Sequence, residues 1–232
     1  MASKDALFKP VTHCIFDMDG LLLNTEALYL KVFNDILEPY GKRFTWAHKA
    51  ETMGFQSAQI VHYLVEKFEL PMSDDQMHQL LQKKYSETFP TAQLLPGVER
   101  LLRHLKTHRI PIALGTSSSV ESYNLKTSHL QEIFDLFDQK VMGSSDPEVK
   151  RGKPQPDIFY VVARRFPDNP EPSKCLVFED SPNGVEAGLN AGMQTVMVPD
   201  PELPRNLTDR ATLVIDTLEN FKPERFGLPK FQ

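Results

Sequence analysis

The sequence predicts an α/β protein: a doubly wound, Rossmann-like parallel sheet core with an inserted α-helical cap subdomain. Three observations predict it. Short apolar runs end abruptly in acids, hydroxyls or glycine, as buried strands of a parallel sheet do. Helical patterns alternate with these runs, which implies crossover helices. One long stretch after the first run breaks the alternation and carries helical patterns alone.

The first strand is read at Thr12 to Phe16, closing in Asp17-Met18-Asp19-Gly20. From about Asn24 to about Thr91 three amphipathic helices follow. Leu28, Val32, Phe33, Ile36, Leu37 and Tyr40 mark the first, Ile60, Tyr63, Leu64 and Phe68 the second, and Met77, Leu80, Leu81 and Tyr85 the third. This places the cap at residues 23–91 and the core at 1–22 and 92–232, with hinges near Leu22–Thr25 and Thr91–Gly97. Val98, Leu101, Leu102 and Leu105 keep helical spacing ahead of the next strand, Ile110 to Leu114. Weaker strands are expected at Gln139 to Met142 and Thr212 to Ile215, stronger ones at Cys175 to Phe178 and Gln194 to Val198. Ser181-Pro182 reads as a helix start with Ser as N-cap, and Gly192 suits its C-terminal end.

Composition narrows the function. The chain has 232 residues, 41% hydrophobic and 25% charged, ordinary for a globular protein and too apolar for disorder. A net charge of −5 argues against a nucleic-acid polymer as partner, since such binding rests on clustered Lys and Arg. No apolar run approaches the ~20 residues that span a bilayer. Met1 to Pro10 lacks an apolar signal core, and Cys14 and Cys175 are too few for a disulfide framework. The expectation is a cytoplasmic monomer.

Open parallel sheets bind ligands at the carboxyl ends of their strands. The residues just past each strand therefore carry the chemistry: Asp17 and Asp19, Thr116 to Ser118, Glu179 and Asp180, with Lys153 in the intervening Gly152-Lys153-Pro154. Converging carboxylates require a cation or protons. An oxygen-only donor set without His or Cys favours Mg²⁺. Hydroxyls, successive backbone N–H groups and one lysine suit phosphate oxygens. Together these make a phosphoryl-transfer site with a carboxylate as nucleophile, and Asp19 is placed to act as acid and base.

At these residues the chain resembles the haloacid dehalogenase-like phosphatases. The family's motifs match Phe16-Asp17-Met18-Asp19-Gly20, Leu114-Gly115-Thr116-Ser117, Lys153-Pro154, and Phe178-Glu179-Asp180-Ser181-Pro182-Asn183-Gly184, in order. The resemblance implies Asp17 as nucleophile and first Mg²⁺ ligand, and Asp19 as acid/base and ligand through its backbone carbonyl. It implies Asp180 as a further ligand with Glu179 nearby. Thr116 and Lys153 hold the phosphoryl group, joined by the backbone N–H groups of Met18 and Ser117. Phe16 through Leu23, Ser145-Asp146-Pro147-Glu148-Val149, Phe178 through Ala187 and Phe226-Gly227-Leu228-Pro229 are similar to the pseudouridine-5′-phosphatase group, which implies pseudouridine 5′-phosphate as substrate. Asn24 departs from the Asp expected in many relatives and bears on cap closure.

Plainer roles compete at several positions. Asp17 and Asp19 alone suit a strand-end turn, and Thr116 to Ser118 suit a helix cap. Glu179 also suits a structural acceptor. The cysteines and Trp46 are assigned to the core, and the seven His to surfaces. Rival functions are a sugar phosphomutase, a phosphatase for glycerol or hexose phosphate, and a phospho-aspartate signalling receiver. Tyr29, where β-phosphoglucomutases carry His in the first cap helix, tilts towards hydrolysis. A receiver lacks such a helical insertion. The loop Met53-Gly54-Phe55-Gln56 is a candidate reader of the leaving group, with an ordinary turn between two cap helices as the equal alternative.

Overall fold

The computed structural model describes residues 8–52 and 57–232; the loop at Met53 to Gln56 lies outside the described residues. The chain divides into two compact units, one of Leu94–Gln232 with the segment up to Leu23, the other Asn24–Gln93.

The first unit is built on six parallel strands, β1 (His13–Phe16), β2 (Ile112–Thr116), β3 (Gln139–Met142), β4 (Cys175–Glu179), β5 (Gln194–Met197) and β6 (Leu213–Val214), in the order β3-β2-β1-β4-β5-β6. β1, β2 and β4 are buried at every position, so their apolar runs face protein on both sides. On one face Ile15 sits beside Ala113 and Val177, in a core with Phe159 and Val162. On the other, Phe16 stacks on Phe178 at 4.6 Å between centroids. Phe137 and Phe221 meet these two rings edge-on. Such aromatic pairs add about 0.5–1.5 kcal/mol each beyond their burial, and here they pin the strand ends that carry the acids. Cys14 and Cys175 are buried free thiols. Burial pushes both up, Cys175 to about 12, so neither is reactive.

His13 corrects the surface assignment. It is 2% exposed. Its ring bonds Thr12 Oγ1 at 2.8 Å and Asp168 Oδ1 at 3.1 Å, and it meets Phe166 edge-on. Two polar partners make its burial tolerable.

The second unit is helical: α1 (Thr25–Leu37), α2 (Trp46–Thr52), α3 (Ser57–Lys67) and α4 (Asp74–Thr88). Val32, Phe33, Ile36, Leu64, Val65, Met77 and Leu81 form its core with Phe44 and Phe68. Tyr29 lies on that core, edge-on to Tyr85 and Phe89. The helix α4 starts in a reciprocal capping box, with Gln76 N–H donating to Ser73 Oγ and Ser73 N–H to Gln76 Oε1. α2 lacks an amphipathic stripe and was not expected; the His48 ring receives the Thr45 N–H at 2.9 Å and does the capping. Trp46 is half-buried.

Two chain segments join the units. In the first unit Leu23 and Leu94 form an antiparallel bridge, and Leu95 N–H donates to Leu22 O at 2.9 Å. In the second, Asn24 N–H donates to Gln93 O at 3.0 Å while Asn24 Oδ1 accepts from Gln93 N–H at 2.8 Å. Asn24 precedes α1 yet makes no side-chain cap bond; its side chain clasps the two segments instead.

The remaining helices belong to the first unit: α5 (Val98–Thr107), α6 (Val120–Thr127), α7 (Gln131–Phe134), α8 (Asp157–Arg164) and α9 (Pro182–Asn190). Ser181 caps α9, its Oγ accepting from Gly184 N–H at 3.1 Å, with Pro182 at the first helical position and Gly192 at φ 78° beyond the end.

Candidate active site

Asp17 follows β1, the strand from which the chain extends the sheet to either side, so it lies at the crevice the topology creates. It is 6% exposed. Lys153 Nζ donates to Asp17 Oδ1 at 2.5 Å, to Glu179 Oε1 at 2.6 Å and to Gly115 O at 3.3 Å. Carboxylate oxygens of Asp17, Glu179 and Asp180 lie within 4.8 Å of one another. One ammonium is thus shared among a group of acids that outnumber it. Burial pushes the Asp17 carboxyl up to about 7; Lys153 opposes the rise, while Glu179 and Asp19 add to it. Burial works against the Lys153 charge, yet Asp17 and Glu179 outweigh it and hold its pKa above the ordinary lysine range. The surplus of negative charge is what a hard cation would relieve, and an all-oxygen donor set fits Mg²⁺.

Glu179 is fully buried and well satisfied. Its Oε2 accepts from the N–H groups of Asp180 and Ser181 at 3.1 and 3.4 Å, and from Ser181 Oγ at 3.2 Å. Gly184 makes room for it: a Cβ there would fall 1.9 Å from the Glu179 carboxyl carbon.

Lys153 stands on a loop held by Arg165, which forks onto Asp146 at 2.6 and 3.0 Å and reaches Glu148 at 2.6 Å. Arg165 holds the Asp146 carboxyl below the usual carboxylate range. On the neighbouring side, Ser144 Oγ donates to Ser117 O at 2.6 Å and Gly143 N–H to Thr116 O at 2.7 Å. The two phosphate-type loops are therefore tied together.

Thr116 ends β2 fully buried, its Oγ1 accepting from Ser118 N–H at 3.1 Å, whereas Ser117 is exposed. Asp19 stands apart from the acid group. Its carboxylate meets Lys126 Nζ at 2.7 Å and Ser118 Oγ at 2.8 Å. Lys126 was not expected. In the sequence it is one lysine among many on a short helix, and only the fold brings it to Asp19.

A parallel sheet that gathers carboxylates, a shared ammonium and a hydroxyl-rich loop at one edge defines an α/β enzyme built for an anionic ester. A family model described as haloacid dehalogenase-like hydrolase matches residues 14–198, and the chain belongs to that family. It is 52% identical to a Drosophila melanogaster protein named probable pseudouridine-5′-phosphatase, over 100% of this chain and 99% of that one. It is 45% identical to (DL)-glycerol-3-phosphatase 2 of Arabidopsis thaliana, over 96% and 93%. A haloacid dehalogenase family hydrolase of Deinococcus radiodurans, solved with phosphate and sodium, shares the fold with a TM-score of 0.79 at 23% identity, covering 97% of this chain and 100% of that one. Among the described residues no helix is long and apolar enough to cross a membrane.

Proposed function

We propose that this chain, a phosphoric monoester hydrolase, cleaves a small phosphorylated metabolite through an aspartyl-phosphate, and that the metabolite is pseudouridine 5′-phosphate. The array of Asp17, Lys153, Glu179 and Asp180 at one sheet edge carries the reading. Asp17 attacks the phosphorus; its burial and its contact with Lys153 fix its direction. Lys153, Thr116 and Ser117 hold the transferring oxygens, and Glu179 anchors Lys153 from behind. Asp19 protonates the leaving oxygen and then takes a proton from the water that frees Asp17. Asp17, Asp180 and the Asp19 backbone carbonyl would hold Mg²⁺, with Glu179 beside them. When bound, the ion supplies the positive charge that lets a dianionic ester approach the acids. The helical unit acts as the cap that selects the leaving group, and the two free thiols suit a reducing, cytoplasmic compartment.

The extent of the identity to the Drosophila protein supports the pseudouridine ester; the Arabidopsis relative supports glycerol phosphate as a second reading. The test compares kcat/KM for pseudouridine 5′-phosphate, uridine 5′-phosphate, glycerol phosphate and a hexose 6-phosphate with Mg²⁺. The pseudouridine ester is expected to lead. Another leader would overturn the substrate and leave the phosphatase standing.

A further inference from the structure

Lys126 lies towards the end of α6 with its side chain 0% exposed. A lysine is almost never fully buried unless paired, because its charge must be compensated. Here Nζ donates to Asp19 Oδ1 at 2.7 Å and to Ser118 Oγ at 3.0 Å, and Ser118 Oγ donates to Asp19 Oδ2 at 2.8 Å. The three groups close a ring that engages both oxygens of Asp19. The Asp19 side chain is still 20% exposed, so it keeps an open edge. The two lysines therefore serve different acids: Lys153 is shared by Asp17 and Glu179, and Lys126 serves Asp19.

We propose that Lys126 is a positioning residue that, with Ser118, holds the Asp19 carboxyl in the orientation for proton delivery; this rests on the reading of Asp19 as acid and base. A general acid works only within about 2.6–3.2 Å of the atom it protonates. Asp19 sits in a turn beside Gly20, where an Asp side chain unsupported from below has several rotamers open to it. The ammonium on Oδ1 leaves Oδ2 as the edge that carries the proton. Ser118 can yield that edge, since its oxygen also accepts from Lys126. As the bond from Asp17 to phosphorus forms and the ester P–O bond breaks, the leaving oxygen keeps the bonding pair and takes the Asp19 proton. In the second half Asp19 removes a proton from water as the water oxygen bonds to phosphorus and the pair of the breaking bond returns to Asp17. Lys126 keeps its protons throughout and faces the carboxylate that each transfer leaves or consumes.

The test is Lys126→Met in the full chain with Mg²⁺, followed in single turnovers with excess enzyme. Two esters are compared, glycerol phosphate and 2,4-dinitrophenyl phosphate, whose leaving group needs no proton. For the alkyl ester the first step is expected to slow by about 10²-fold, and for the nitrophenyl ester by no more than about threefold. In an Asp19→Asn background Lys126→Met should add less than about twofold, because the two act as one unit. Equal slowing of both esters, or losses that multiply with Asp19→Asn, would overturn the proposal. Should Lys126→Met not fold, Ser118→Ala opens the ring from the other side with Lys126 intact. The same preference for the nitrophenyl ester is then expected, and equal slowing overturns the proposal. Asp17→Asn separates the two levels: release of either product by that variant would refute the covalent reading itself, whatever Lys126→Met does.

Discussion

Gly184→Ala is the sharpest small perturbation the site allows. The new methyl would lie 1.9 Å from the carboxyl carbon of Glu179 and 2.0 Å from each of its oxygens. Carbon atoms rest about 3.5–4.0 Å apart, so the carboxylate must retreat by roughly 1.5–2 Å. It has no slack to do so, being held by Lys153 at 2.6 Å and by Asp180 N–H at 3.1 Å. Overpacking costs about 1–3 kcal/mol. Loss of the charged hydrogen bond to Lys153 adds about 1.5–3 kcal/mol. The gain in helix propensity from Gly to Ala, at most about 1 kcal/mol, does not offset this. With about 2–4 °C per kcal/mol at this chain length, Tm should fall by roughly 3 to 24 °C. Lys153 would shift with its anchor, and a misplacement near 1 Å costs on the order of 10²-fold in kcat. Calorimetry and phosphate release read both quantities. Gly152→Ala is the control: it adjoins Lys153 in sequence, but its Cβ would meet nothing within 4 Å. A Gly184→Ala protein that melts and turns over like the control would refute the close approach of Gly184 to Glu179, and with it the anchoring of Lys153.

Asp17→Asn should fold and lose turnover, because an amide is a far poorer nucleophile; retained kcat in a folded sample would exclude attack by this residue. Asp180→Asn should raise the Mg²⁺ concentration for half-maximal activity more than Glu179→Gln does, since Glu179 is already engaged by Lys153, Asp180 N–H and Ser181; titration in the opposite order would exchange their roles. In chelator, stability relative to Asp17→Asn should fall as pH rises from about 4 towards 7. The Asp17 pKa is raised from 3.8 to about 7 by burial, so the folded state holds a proton that the unfolded chain has already released, and that advantage fades through this window. A Tm difference from Asp17→Asn that rises over the same interval would contradict that sign.

The strands were legible because β1, β2 and β4 are buried on both faces, which leaves an unbroken apolar run. Their ends announced Asp17 and Asp180 just past β1 and β4, with Glu179 the buried last residue of β4. The helix α2 was missed because Trp46 to Thr52 carries no apolar stripe. Long-range pairs left no local trace at all. His13 finds Asp168 155 residues along the chain, and Asp19 finds Lys126 107 residues along it. The segment Ser145 to Val149 supported a resemblance without a physical reason in the sequence. In the structure Arg165 grips Asp146 and Glu148 in that segment.

The position of β1 has a consequence on the ribosome. It sits between β2 and β4, so both of its edges are closed in the finished sheet. The nascent chain supplies those neighbours late: β2 follows β1 by about 100 residues and β4 by about 160, delays of roughly 5–20 s and 8–32 s at ordinary rates of synthesis. During that interval Asn24–Gln93 is already complete as a contiguous segment and can gather its own apolar side chains. His13 to Phe16 cannot, because nothing near it in sequence covers either face. A stalled or truncated chain ending before Cys175 would leave β1 with one bare edge, a template for pairing with other chains. Synthesis of this enzyme should therefore depend on holdase chaperones far more than its refolding from denaturant does, where all six strands arrive together.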